Sequence, residues 1–145
     1  MVGSAAWRKG ADAIHATGSF WANAVPFAAA LATIPLAAAA AARAESSGLA
    51  LREGLQAQAE AAGFGNDFAQ SGPPQMPLFH FASEREQALG ERRKILTFCR
   101  RAAEGGVLLH PHHTMFLGGA HTMADVEQCL EVTKLAFDAV SALDR

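Results

Sequence analysis

From Phe20 to Ala42 the chain runs 23 residues without a formal charge, and most of them are alanine. A run of that length could cross a bilayer. Its apolar content is thin, however, and Asn23, Pro26 and Pro35 interrupt it. A secretory leader is also a poor fit. Arg8 and Lys9 are followed by Asp12 and His15, and the apolar stretch is too long for a signal peptide. The run reads as a buried helix whose alanine face lets another backbone approach closely, on a sheet or across a subunit interface, with no membrane involved. Its start is expected near Asn23 or Val25. Pro26 then falls in the first turn, where a missing donor costs nothing. Pro35 predicts a kink or a break, and Ser46 to Gly48 a second interruption. Residues 51–63 resume the helical pattern, with Leu51 and Leu55 four apart and Gly63 as the stop.

Before this run, residues 1–19 read as a loop-like arm. After it the character changes. Residues 64–72 read as a short strand ending at a Ser-Gly-Pro-Pro turn, and residues 75–82 (QMPLFHFA) as a second strand. Ser83 with Glu86 three residues on predicts a capping box opening a helix that ends at Gly105 and Gly106. Leu89, Ile95, Leu96, Cys99 and Ala103 give that helix its apolar stripe. Residues 107–119 (VLLHPHHTMFLGG) read as two more short strands. Thr122 with Asp125 opens a final helix in which Val126, Leu130, Val132, Thr133, Ala136, Phe137 and Val140 keep the helical period. The expected class for this piece is α+β, a small antiparallel sheet packed with helices. A long helix with a loose arm is odd for a free-standing domain and suggests part of something larger.

Charge and side-chain chemistry exclude more than they select. A net charge of -2 argues against a nucleic-acid partner. Cys99 and Cys129 read as small core residues of a cytoplasmic protein, since two isolated cysteines make no disulfide framework. His110, His112, His113 and His121 are dense, yet no acid or thiol lies among them, and His112 and His113 would face opposite ways on a strand. No GxSxG elbow, phosphate-binding GxxxxGK loop or GxGxxG loop is present. Arg92, Arg93, Lys94, Arg100 and Arg101, interspersed with glutamates, read as a solvated, partly ion-paired helix face. Thr17, Gly18, Ser19 and Phe20 stand at the mouth of the long helix. Hydroxyls and free amides there serve either as a helix cap or as phosphate ligands.

Two segments carry a family resemblance. HATGSFWANAVPFAAALATI (15–34) resembles the stretch that follows the lysine-bearing loop of class III aminotransferases. GGVLLHPHHTMFLGGAHTMADVEQCLEVTKLAFDAV (105–140) resembles the end of their small domain, nearest the glutamate-1-semialdehyde aminomutase-like branch. The Ala-His-Thr at 120–122, followed by an acidic helix start, is its most specific mark. REGLQAQAEAAG and QMPLFHFA fall between them in the expected order, so the likeness covers essentially the whole chain.

The resemblance implies a fold type I architecture (an α/β class), pyridoxal 5'-phosphate as cofactor, a homodimer, and amino-group transfer between a small-molecule amino compound and a keto acid. It places residues 1–45 in the tail of the large cofactor-binding domain and 46–145 in the small C-terminal domain. Ser19 matches the hydroxyl residue that reaches the phosphate of the partner subunit's cofactor, serine standing where threonine is usual. Gly18 and Phe20 would shape the same loop, Asn23 would order the turn, and His121 would be structural or near the substrate entrance. The cofactor-bonding lysine of the family lies farther upstream than Lys9, while Lys94 and Lys134 fall in surface-like helix patterns. The small-domain arginine of some members and the loop glutamate of some aminomutases have no counterpart in HPHHTMF. The expectation is a chain inactive alone, completed by a large-domain chain or kept as a dimerisation module.

Overall fold

The computed structural model describes residues 5–13, 18 and 23–144, and its contacts divide the chain into two compact units, residues 1–36 and 37–145. In the first unit the arm is not all loop. A 3-10 turn, Ala5–Trp7, leads into a short helix α1, Arg8–Asp12. Helix α2, Ala24–Thr33, starts where Asn23 caps it, the side-chain oxygen accepting from the Val25 amide at 3.0 Å. Pro35 has the predicted effect: the α-helical pattern gives way to a 3-10 turn, Ile34–Leu36. Val25, Phe27, Leu31, Ile34 and Leu36 are all exposed. Residues 24–61 together are long and apolar enough to cross a membrane by length and composition alone.

The second unit opens with α3, Ala37–Ala61, which runs straight through Ser46 to Gly48. The expected interruption is absent because those residues are packed. Ser47 and Gly48 are buried, and the Pro74 carbonyl sits where a Gly48 side chain would be. Leu51, Leu55 and Ala59 face inward at helical spacing. Strand β1, Phe68–Ser71, pairs antiparallel with β2, Leu78–Phe81, in the register Phe68 with Phe81 and Ser71 with Leu78. Both strands are narrower than the sequence suggested.

Ser83 and Glu86 form no capping box. Asp67 takes the Ser83 amide at 2.7 Å and hydroxyl at 2.8 Å, residues 82–84 and 89–91 are 3-10 turns, and helix α4 begins only at Arg93, running to Glu104. The buried carboxylate of Glu84 caps it instead, accepting from the amides of Lys94 (2.6 Å) and Ile95 (3.1 Å). Residues 107–118 form no strands and bend at 111–113, a second correction. Only the Met115 and Leu117 amides find backbone partners on the neighbouring segment, the carbonyls of Pro77 and Gln75, at 2.9 Å each. Two bonds hold this segment against 75–77 without making a ladder.

Helix α5, Met123–Ser141, does start on a capping box. The Thr122 hydroxyl accepts from the Asp125 amide, and Asp125 accepts from the Thr122 amide. The core lies between α3, α4, α5 and the hairpin. Phe137 is 1% exposed and packs against Phe98 (4.8 Å between centroids) and Phe68 (5.1 Å). Thr133, fully buried on α5, donates to Gln58 on α3 at 2.9 Å, and Gln58 donates to the Leu130 carbonyl at 2.7 Å. That pairing satisfies the polar groups of the α3–α5 contact.

Candidate functional site

Of the three residues expected to reach a phosphate, Ser19 and Phe20 lie outside the described residues. Gly18 is exposed and has φ 147°, a backbone conformation that disfavours any side chain. Downstream, α2 has no acidic residue in its first turn. Glycine-only backbone followed by a helix start free of negative charge suits an anion such as the cofactor's phosphate. Gly18 is the one described residue of this stretch, and its backbone is compatible with such a role.

The chain's three lysines fit a covalent role less well. Lys9 is exposed on the short α1, and Lys134 is exposed on α5. Lys94 is half-buried and held by Asp67 at 2.8 Å and the Ser83 hydroxyl at 3.2 Å, with its ammonium 5.5 Å from the Phe64 ring. It belongs to the packing of α4 on the hairpin, not to the surface face the sequence suggested. Burial of Asp67 opposes its ionisation, but the Lys94 and Ser83 hydrogen bonds outweigh this and hold its carboxyl below the usual range. No sequence signal marked Asp67 or Glu84, because each acts across more than nine residues of chain.

His121 sits in a tight turn with Gly118. Its backbone amide donates to the Gly118 carbonyl at 3.1 Å, and its Nδ1 accepts from the Gly118 amide at 2.9 Å. The turn docks on α3. Arg43 donates to the Gly119 carbonyl at 3.1 Å, and a side chain at Gly119 would stand 2.7 Å from the Ala40 Cα. Ala40 thus admits a close turn, while residues 24–39 are exposed and not the buried helix the sequence suggested. Beside the turn lies a cavity of about 340 Å³, lined by Leu51, Leu109, Met115, His121, Asp125 and Cys129 among others. The Asp125 carboxyl is held below its ordinary range, chiefly by the Thr122 amide and hydroxyl. Burial pushes the Cys129 thiol up to about 11 and the Cys99 thiol to about 12, which makes both poor nucleophiles. Among the described residues no group of three histidines, cysteines or acids is placed to hold a metal.

No family model matches the chain. A curated relative, the aminopentol aminotransferase of Sphingopyxis macrogoltabida, is 40% identical over 142 residues, which is 97% of this chain and 32% of the relative. A solved structure, the pyridoxal-phosphate internal aldimine form of the FumI protein of Sphingopyxis sp. MTA144, matches with a TM-score of 0.82 and 40% identity over 96% of this chain and 32% of that one. The chain thus spans about a third of the length of the proteins it resembles.

Proposed function

We propose that this chain, which is homologous to the C-terminal part of a pyridoxal-phosphate-dependent aminotransferase, serves amino-group transfer between a small-molecule amino compound and a keto acid. The observation that carries the reading is 40% identity sustained over 97% of the chain. The finer assignment is to class III and its aminomutase-like branch. It rests on the TGSFWAN and AHT segments, the latter built as a rigid turn on α3. In this reading residues 1–45 are the tail of the large domain and 46–145 the small domain.

Bound pyridoxal phosphate supplies an electron sink for the carbon that exchanges its amino group. The chain's part is to position that cofactor. Ser19 would offer its hydroxyl to the phosphate of the partner subunit's cofactor, and Gly18 and Phe20 would shape the loop beside it. The His121 turn fixes the small-domain segment 107–118. None of Lys9, Lys94 and Lys134 is suited to bond the cofactor, so these residues by themselves are inactive, and the bonding lysine belongs to the part of such an enzyme that they do not span. The exposed Val25, Phe27, Leu31, Ile34 and Leu36 favour a homodimer through the alanine-rich helix. A cytoplasmic location accords with two unpaired cysteines, Cys99 buried and Cys129 half-buried.

The test is complementation. The chain is co-expressed with a polypeptide carrying the part of the Sphingopyxis macrogoltabida enzyme that it does not match. Transamination is assayed with an aminopentol, the compound in that relative's name, as first donor. The pair should be active, Ser19→Ala should weaken retention of pyridoxal phosphate, and the chain alone should be silent. Borohydride fixing a pyridoxyl group onto Lys9, Lys94 or Lys134 of the isolated chain would overturn the inactive-alone reading. A co-purified pair that forms but never transaminates would overturn the functional one.

A further inference from the structure

A second cleft, of about 570 Å³, opens between the end of β1, the start of β2, the 3-10 turns before α4 and the Pro111–His112 corner. Its polar lining is Arg85, Arg92, His80 and His112, with the hydroxyl residue Ser71, and no acidic residue among the described ones lines it. Two guanidiniums brought together without an acidic neighbour offer paired donors to an anion.

Each basic group has capacity to spare. Arg92 donates through Nε to the Gln87 carbonyl (3.0 Å) and through Nη2 to the Arg85 carbonyl (2.9 Å). Two of its five N–H groups lock the guanidinium in place, and three remain. The Arg85 side chain has no hydrogen-bond or ion-pair partner among the described residues. Nδ1 of His112 is buried and likewise without a partner among them. The corner that presents it is fixed, since the His112 amide donates to Nδ1 of His110 at 3.1 Å. The rest of the lining is apolar, with Leu78 and Leu89 among it.

We propose that this cleft binds a small organic oxyanion, its carboxylate or phosphate end on Arg85, Arg92 and His112 and its apolar body against Leu78 and Leu89. Guanidinium forks match the paired oxygens of both head groups, and the volume is that of a small-molecule site. The inference goes beyond amino-group transfer and does not depend on it, since every residue used lies in the second unit.

The experiment titrates the purified chain with phenyl phosphate, phenylacetate and, as the uncharged counterpart, benzyl alcohol, following the histidine ring resonances by NMR. One or both anions should shift the His112 and His80 rings while benzyl alcohol does not. Arg85→Gln, at an exposed position, should weaken binding about tenfold or more with an unchanged melting curve. Arg85→Lys should fall between, keeping the charge and losing the fork. Preference for phenyl phosphate would identify a phosphate monoester, and equal or better binding of phenylacetate a carboxylate. Silence of the His112 ring with both anions, equal response to benzyl alcohol, or full binding by Arg85→Gln would overturn the proposal.

Discussion

Glu84 caps a helix from nine residues before its first turn begins. Its Oε2 accepts the Ile95 amide at 3.1 Å, while its Oε1 accepts the Lys94 amide. The carboxylate is only 5% exposed, yet it meets the positive end of α4 and satisfies two donors that have no intrahelical partner. Glu84→Ala leaves both unpaired. The expected cost is about 2 kcal/mol, measured as a lowered urea midpoint at constant slope. A midpoint equal to wild type would mean that other groups cap α4.

Asp67 makes stability depend on pH in a stated direction. Its carboxyl is depressed in the folded state against about 3.9 in the unfolded chain. The unfolded state therefore holds the proton more tightly. The stabilisation is fully present above the unfolded value and is lost as pH falls through the lower folded value. Asp67→Asn should cost about 1.5 kcal/mol at pH 7, and the difference from wild type should shrink below about pH 4. Parallel melting curves of the two proteins from pH 7 down to pH 2 would show that the Lys94 pair contributes nothing.

What could be read from the sequence was what neighbours along the chain decide. The Asn23 cap, the break at Pro35, the Leu51–Leu55 stripe and the Thr122–Asp125 box all depend on residues within four positions. The misreadings share the opposite cause. Ser83 looked like a cap, but Asp67, sixteen residues earlier, takes its hydroxyl and amide. The 107–118 segment read as two short strands, but only two of its amides meet carbonyls of 75–77. At the site, Gly18 was legible as a glycine beside hydroxyls, and its φ of 147° gives that glycine a reason. Ser19 and Phe20 rest on the family likeness alone. Arg85, Arg92 and His112 converge only in three dimensions, and nothing in their spacing indicated it.

Gly48 reverses the usual rule for glycine in a helix. Replacing an interior glycine by alanine ordinarily stabilises by about 1 kcal/mol. Here the new methyl would overlap the Pro74 carbonyl and stand 2.9 Å from the Gln75 amide nitrogen, both backbone atoms. Overpacking of this kind costs about 1–3 kcal/mol, so Gly48→Ala should lower stability despite the better helix former. A raised melting temperature would show that the Pro74 turn is not seated on α3.

Cys99 and Cys129 should be nearly inert while the chain is folded. Thiols raised to about 12 and about 11 hold far less thiolate at pH 8 than an exposed cysteine does. Iodoacetamide should modify both at least about a hundredfold more slowly in buffer than in 8 M urea. Fast labelling of Cys129 in buffer, read by mass spectrometry, would mean that the cavity beside His121 opens readily.

Phe137 is the side chain on which the second unit turns. Its ring lies within 6.5 Å, centroid to centroid, of Phe64, Phe68, Phe81 and Phe98, so it joins α5 to α4, to the hairpin and to the end of α3. Truncation to alanine removes a fully packed ring from a site whose neighbours are themselves rings and cannot readily collapse. The expected loss is about 3 kcal/mol or more, large for a unit of this size and read by urea unfolding. Leu135, one turn-face away and half exposed, is the control. Leu135→Ala should cost only about 0.5 kcal/mol. If the two variants unfolded alike, the core would have to lie elsewhere than around this phenylalanine cluster.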